Sequence, residues 1–143
     1  MNTVLIDSNI LIYAIDASDK EKHEEATNII TKGAEEENTI ALSAQNLAEL
    51  YAVSKNVSQQ AREDATKLIV QLNNTNTIQK IIYTHQTVHN AIKLLQYTND
   101  YWDALIAATM QENNIHTIIT ENDKDYTNIP GLHAINPFKK KKK

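Results

Sequence analysis

The sequence predicts an α/β protein with a parallel sheet covered on both faces by helices and folded as one domain. Three observations predict it. Short runs rich in β-branched residues alternate with longer segments of helical periodicity, an order that requires crossover connections. The 143 residues suit a single core, and no internal repeat, Pro/Ser-rich linker or compositional break divides them. Hydrophobic residues make up 41% of the chain and charged residues 22%, which is globular usage and argues against disorder.

Thr3-Val4-Leu5-Ile6 is an apolar run that stops at Asp7 and reads as a buried strand. Ser8 and Asn9 are suitable caps for a short helix over Ile10 to Ala14. Residues 20–37 form an amphipathic helix, with His23, Ala26, Thr27, Ile30 and Ala34 on one stripe and glutamates outside it. Thr39 to Leu42 is a second strand, followed by a helix from about Gln45 to Lys55. Ser58 caps a further helix, in which Ala61, Ala65, Leu68, Ile69 and Leu72 recur at helical spacing. Ile78 to Tyr83 supplies a third strand, and Val88, Ala91, Ile92 and Leu95 give the next helix its apolar face. Trp102 to Asn113 is helical, Thr117 to Ile119 is a strand running into the polar stretch Thr120 to Asp125, and His133 to Ile135 closes the sheet. The domain is expected over 1–137, with 138–143 as a disordered basic tail.

Composition removes several classes of chemistry. The chain has no cysteine, so disulfides, thiolate zinc sites, iron–sulfur clusters and a thiol nucleophile are excluded. Gly33 and Gly131 are the only glycines, too few for a dinucleotide-binding turn or a phosphate-cradling loop. No apolar run approaches the ~20 residues of a membrane span, and the start lacks the pattern of a secretion signal, so a cytoplasmic protein without membrane contact is expected. Net charge is −4, but five of the 14 basic residues form the run Lys139 to Lys143, which leaves 9 basic against 18 acidic residues elsewhere. So acidic a body can meet a nucleic acid only locally or through cations. The lysine run itself is either a solubilising tail or a contact for a polyanion.

Most of the acids lie where water would cover them, but three interrupt apolar patterns. Asp103 has Ile106, Ala107 and Met110 at i+3, i+4 and i+7. Glu49 sits within Leu47-Ala48-Glu49-Leu50-Tyr51, and Asp7 is wedged between Leu5-Ile6 and Ile10-Leu11-Ile12. Buried carboxylates need a partner, and Arg62, the sole arginine, lies on a surface-type helix. Two carboxylates ~5 Å apart repel by about 3 kcal/mol at an effective dielectric of 20, so a cluster calls for a cation or retained protons. All-oxygen ligation selects Mg²⁺ or Mn²⁺, which activate water and stabilise the charge of an attacked phosphodiester. Helix capping is the competing reading for Asp7 and Asp103, though Ser8, Asn9, Thr98, Asn99 and Asp100 are alternative caps. Glu49 has no such role. His85 and His89 stand four apart as in zinc peptidases, but Gln86 replaces the catalytic Glu and no third ligand is evident, so they read as ordinary helix positions. Tyr101 and Trp102 read as core or rim packing.

Four segments in order resemble the PIN domain family, and within it the VapC toxins of toxin–antitoxin pairs. They are Val4 to Ala14, Leu47-Ala48-Glu49-Leu50, Tyr101 to Ala108, and Ile118-Ile119-Thr120 followed by Asp123-Lys124-Asp125-Tyr126 and Ile129-Pro130-Gly131-Leu132. The resemblance spans about Met1 to Ile135. It implies a three-layer α/β/α fold with about five parallel strands, and Mg²⁺- or Mn²⁺-dependent endoribonuclease activity leaving a 5′-phosphate and a 3′-hydroxyl. Asp7, Glu49 and Asp103 then resemble metal-binding acids, with Ser8, Asn9 and Thr120 orienting the pocket. The family commonly has an Asp two residues after the threonine, where Asn122 stands here. Asp123 is the expected fourth acid and metal ligand, with Asp125 as the next candidate. The resemblance further implies a homodimer, a VapB-type antitoxin partner, and an RNA substrate such as transfer RNA or a ribosomal RNA loop. Two rival readings remain at this point: a PIN-like module that binds RNA or protein without cutting, and a receiver or phosphatase of similar sheet order.

Overall fold

A computed structural model describes residues 2–139. Residues 140–143 of the expected basic tail lie outside the described residues. The chain runs β1 (Val4–Ile6), α1 (Ser8–Ile15), α2 (Lys20–Glu35), β2 (Ile40–Ser43), α3 (Ala44–Lys55), α4 (Gln59–Asn73), β3 (Gln79–Ile81) and α5 (His85–Lys93). It then runs through α6 (Tyr101–Glu112), β4 (Thr117–Ile119), a 3₁₀ turn (Asp123–Tyr126) and β5 (His133–Ile135). The five strands pair in parallel in the order β3-β2-β1-β4-β5. Each parallel pairing needs a crossover, which the helices supply.

Because successive strand residues face opposite sides, the sheet divides the core in two. Leu5, Ala41 and Ile118 pack with Ala91 of α5 and with Ala104 to Ala108 and Met110 of α6. Ile6, Ile40 and Leu42 pack with Ile10 and Leu11 of α1, Ala26 of α2, Leu50 of α3, and Ala65 and Leu72 of α4. The two clusters are the two interlayer spaces of a three-layer α/β/α sandwich, as the sequence predicts. Seven consecutive residues of α6, Ala104 to Met110, are buried, a helix hidden on nearly all sides by the sheet and α5.

Helix starts differ from expectation in an informative way. Asp7 itself is the N-cap of α1, and Ser8 is already helical. Asp100, whose Oδ1 accepts from the backbone N–H groups of Trp102 and Asp103, caps α6 and leaves the Asp103 carboxylate without that task. Strand β3 is shorter than the predicted Ile78 to Tyr83, and Ile82 and Tyr83 emerge exposed beyond it. No helix among the described residues is long and apolar enough to cross a membrane.

Candidate active site

Strand β1 has β2 on one side and β4 on the other, so the chain changes direction across the sheet between β1 and β4. Ligands of open parallel sheets bind beyond the strand ends at such a switch point. Asp7 follows β1 there and Thr120 follows β4. Thr120 Oγ1 donates to Asp7 Oδ2 at 2.8 Å, across 113 residues of sequence. The Ser8 backbone N–H donates to Asp7 Oδ1 at 2.7 Å, and Asn46 Nδ2 does so at 3.2 Å. Asn9 Nδ2 donates to Thr120 Oγ1 at 3.1 Å, while Asn9 Oδ1 accepts from the Glu121 backbone N–H at 3.1 Å. Asn46 is held in turn by Ser43, whose hydroxyl donates to Asn46 Oδ1 at 2.7 Å. Asp7, only 5% exposed, is thereby fixed from three separate stretches of chain. Burial still raises its pKa above the ordinary carboxylate value, against the lowering effect of these hydrogen bonds.

Three other carboxylates share the field of Asp7. Burial, and then the negative charge of Asp7, raises the pKa of Glu49. Glu49 Oε1 is buried and has no hydrogen-bond partner among the described residues. Asp103 is pushed up to about 7, first by burial and then by the charges of Asp100 and Asp125. Tyr126, 1% exposed, donates from its hydroxyl to Asp103 Oδ1 at 3.2 Å, and burial and the charge of Asp7 hold its own pKa above the usual phenol value. The salt bridges among the described residues are Lys22–Glu121 and Lys139–Asp123, so no side-chain cation neutralises Asp7, Glu49, Asp103 or Asp125.

The structure brings Asp7, Glu49, Asp103 and Asp125 into one electrostatic cluster, with Ser8, Asn9 and Thr120 arranged around Asp7. It does not bring Asp123 there. Asp123 Oδ2 accepts from Lys139 Nζ at 2.6 Å, and that bond lowers its pKa, the opposite of its expected neighbours. Asp123 is engaged by Lys139, whereas the charge of Asp125, the next candidate in the sequence, acts on both Asp7 and Asp103. Both aspartates lie on the 3₁₀ turn Asp123–Tyr126, and there Asp123 pairs with Lys139. Two contributors went unrecognised in the sequence, Asn46 and Tyr126. Asn46 was detectable, because it lies three residues before Glu49 on the same face of α3. His85 and His89 gather no third ligand: among the described residues, no three of His, Asp and Glu stand close enough to hold one ion together. Mg²⁺ commonly takes one or two carboxylates and completes its shell with water and substrate phosphate, so one or two of the acids are the most that the arrangement offers a single ion.

A parallel five-stranded sheet between two helical layers, with Asp7 at its switch point, defines a three-layer α/β/α domain. Residues 4–132 match the PIN domain family, and the chain belongs to it. No curated protein sequence matches the chain. Among solved structures it is similar to a VapBC complex from Rickettsia felis bound to a DNA fragment from its promoter. That match has 27% identity and a TM-score of 0.68, and covers 94% of this chain and 98% of the other. A toxin–antitoxin complex from Klebsiella pneumoniae matches with 24% identity, TM-score 0.65 and the same coverages of 94% and 98%. A Mycobacterium tuberculosis VapC toxin that cleaves the sarcin–ricin loop matches with 14% identity and TM-score 0.64, over 80% of this chain and 86% of that one.

Proposed function

We propose that this PIN domain is a VapC-type toxin, a Mg²⁺- or Mn²⁺-dependent endoribonuclease that acts in the cytoplasm and is restrained by a VapB-type antitoxin. The observation that carries the reading is the set of Asp7, Glu49, Asp103 and Asp125 at the β1/β4 switch point, in which burial and neighbouring charge raise the pKa of Asp7, Glu49 and Asp103 and with which no side-chain cation among the described residues pairs. The donor set fits a hard dication: all its atoms are oxygens, and Glu49 Oε1 is buried without a donor. When bound, the ion supplies Lewis acidity and an activated water for attack on a phosphodiester.

The chain's own residues supply the positioning. Asn46, Ser8 and Thr120 fix both oxygens of Asp7, so its rotamer is set before substrate arrives. Tyr126 orients Asp103 through one oxygen. Asp103, pushed up to about 7, holds a proton at mildly acidic pH and gives it up as a ligand or a base at neutrality. Antitoxin complexes among the solved relatives support the proposed partner. The exposed apolar residues Ile92 and Leu95 on and just after α5 support a homodimer.

The test is cleavage of single-stranded RNA by purified, antitoxin-free protein with Mg²⁺ or Mn²⁺, compared with Asp7→Asn, Asp103→Asn, Asp125→Asn and Asp123→Asn. The first three should each lose about 10- to 100-fold or more, the range for disturbing ligands and their supports, while Asp123→Asn stays near the native rate. Equal cleavage by Asp7→Asn and the native chain would assign the activity to a contaminating nuclease. RNA binding without any cut, undiminished in Asp7→Asn, would favour the non-cutting module.

A further inference from the structure

Beside the acids lies a groove with different chemistry. It encloses about 540 Å³ and is lined by Ala44, Ala48 and Ala52 of α3, by Trp102 of α6 and by Tyr83, with Gln45 and Glu49 at its wall. The three alanines recur every four residues, so one stripe of α3 is cut down to methyl groups. Facing that stripe is an indole that the fold leaves 57% exposed, although a tryptophan ordinarily buries most of its surface. Its backbone is held at both ends. The Trp102 N–H donates to Asp100 Oδ1 at 2.8 Å, and the Trp102 carbonyl accepts from Gln45 Nε2 at 3.1 Å. Tyr101 packs against the indole edge at 5.4 Å between centroids, with the rings 73° apart. Gln45 is itself 8% exposed, and its Oε1 has no partner among the described residues. A buried amide oxygen left unpaired in the wall of an apolar groove favours a ligand that brings an N–H.

We propose that this groove is a nucleobase subsite, in which an unpaired base of the substrate strand stacks on Trp102 and Tyr83 while its amino or imino N–H turns toward Gln45. The proposal rests on the endoribonuclease reading and adds to it the part of the substrate that the acids cannot bind. Charge selects the base over the phosphate: Glu49 is the one ionisable acid of the lining, and it joins the groove to the acidic cluster. A phosphate in the groove would be repelled, whereas a neutral aromatic ring would not. Single-strand binding by stacking tolerates sequence variation because every base has a π-face, and Gln45 adds a preference for bases that carry a donor. The subsite lies next to Asp103 in sequence and next to Glu49 in space, so a base seated there brings its flanking phosphodiester to the cluster.

Trp102 is the only tryptophan of the chain, so its fluorescence reports this groove alone. The probes are short single-stranded RNA oligonucleotides, kept uncut by EDTA in place of a divalent ion, each paired with a version carrying one abasic position. Quenching of Trp102 that is lost when one particular position is abasic is the expected result, as is an affinity about 5- to 150-fold lower for Trp102→Ala with recovery in Trp102→Phe. Ala48→Leu, which fills the groove and keeps the indole, weakens binding likewise. Equal quenching by intact and abasic strands would overturn the subsite. So would a Trp102→Ala protein of unchanged affinity that turns from dimer to monomer on gel filtration, which would assign the face to a second copy of the chain. The two readings fail separately. Base-dependent quenching without cleavage of ordinary RNA sinks the nuclease and spares the subsite, and cleavage without base-dependent quenching does the reverse.

Discussion

Asp7 shows how one side chain can serve fold and site together. Capping and catalysis are rival readings of it in the sequence, yet the structure has it accept the Ser8 N–H at the start of α1 while Asn46 and Thr120 hold it from elsewhere. Asp103 is the residue whose titration matters most near neutral pH. Its ordinary value is 3.8 and its folded value about 7, so the native state binds the extra proton between those limits. Stability of the metal-free protein therefore falls as pH rises from about 4 to 7 and then levels. Urea unfolding at a series of pH values is expected to show that decline, and Asp103→Asn is expected to make it shallower, with the raised Asp7 and Glu49 supplying the remainder. Buried Asp7 and half-buried Glu49 and Asp103 were legible in the sequence because each breaks an apolar pattern. Asn46 was overlooked although its spacing from Glu49 puts the two on one face of α3, and the choice between Asp123 and Asp125 was not legible. Two aspartates separated by one residue in a polar stretch carry no periodicity from which to choose between them.

Among the elements, the strands were legible as β-branched runs and the helices as apolar stripes, and the misses sit at their ends. Capping accounts for most of them: several Asp, Ser, Thr and Asn residues adjoin each start, and tertiary hydrogen bonds choose among them. Packing between α2 and β2 gives a sharper test. A Cβ built on Gly33 would stand 2.5 Å from Cγ2 and 2.9 Å from Cγ1 of Ile40. Alanine would improve helix propensity by about 1 kcal/mol, but the clash involves atoms near the Ile40 backbone, and overpacking costs about 1–3 kcal/mol. Gly33→Ala is therefore expected to lower stability in chemical denaturation, despite residing in a helix. Paired with Ile40→Val, which trims the Ile40 side chain, part of that loss should return. A Gly33→Ala protein more stable than the native chain would show that the helix moves away from the sheet with little resistance.

At the scale of the whole molecule, an acidic body with a carboxylate cluster at its centre is expected to be stabilised by divalent cations. At about a hundred times its dissociation constant, Mg²⁺ or Mn²⁺ contributes about 2.7 kcal/mol, or roughly 8 °C in melting temperature for a chain of this size. Differential scanning fluorimetry with and without chelator measures the shift, and Asp7→Asn should abolish it. A shift of equal size in Asp7→Asn would place the ion elsewhere on the surface. Phe138 is also drawn into the fold: it meets the Tyr13 ring edge-on at 5.1 Å, and Lys22 lies over both rings while pairing with Glu121. The outermost strands, β3 and β5, are three residues each, so little unpaired main chain stands ready to be extended. An inhibitor designed against this fold would gain little as an added strand, and its scaffold is better chosen as a short helix or a flat heterocycle that competes for side-chain surfaces.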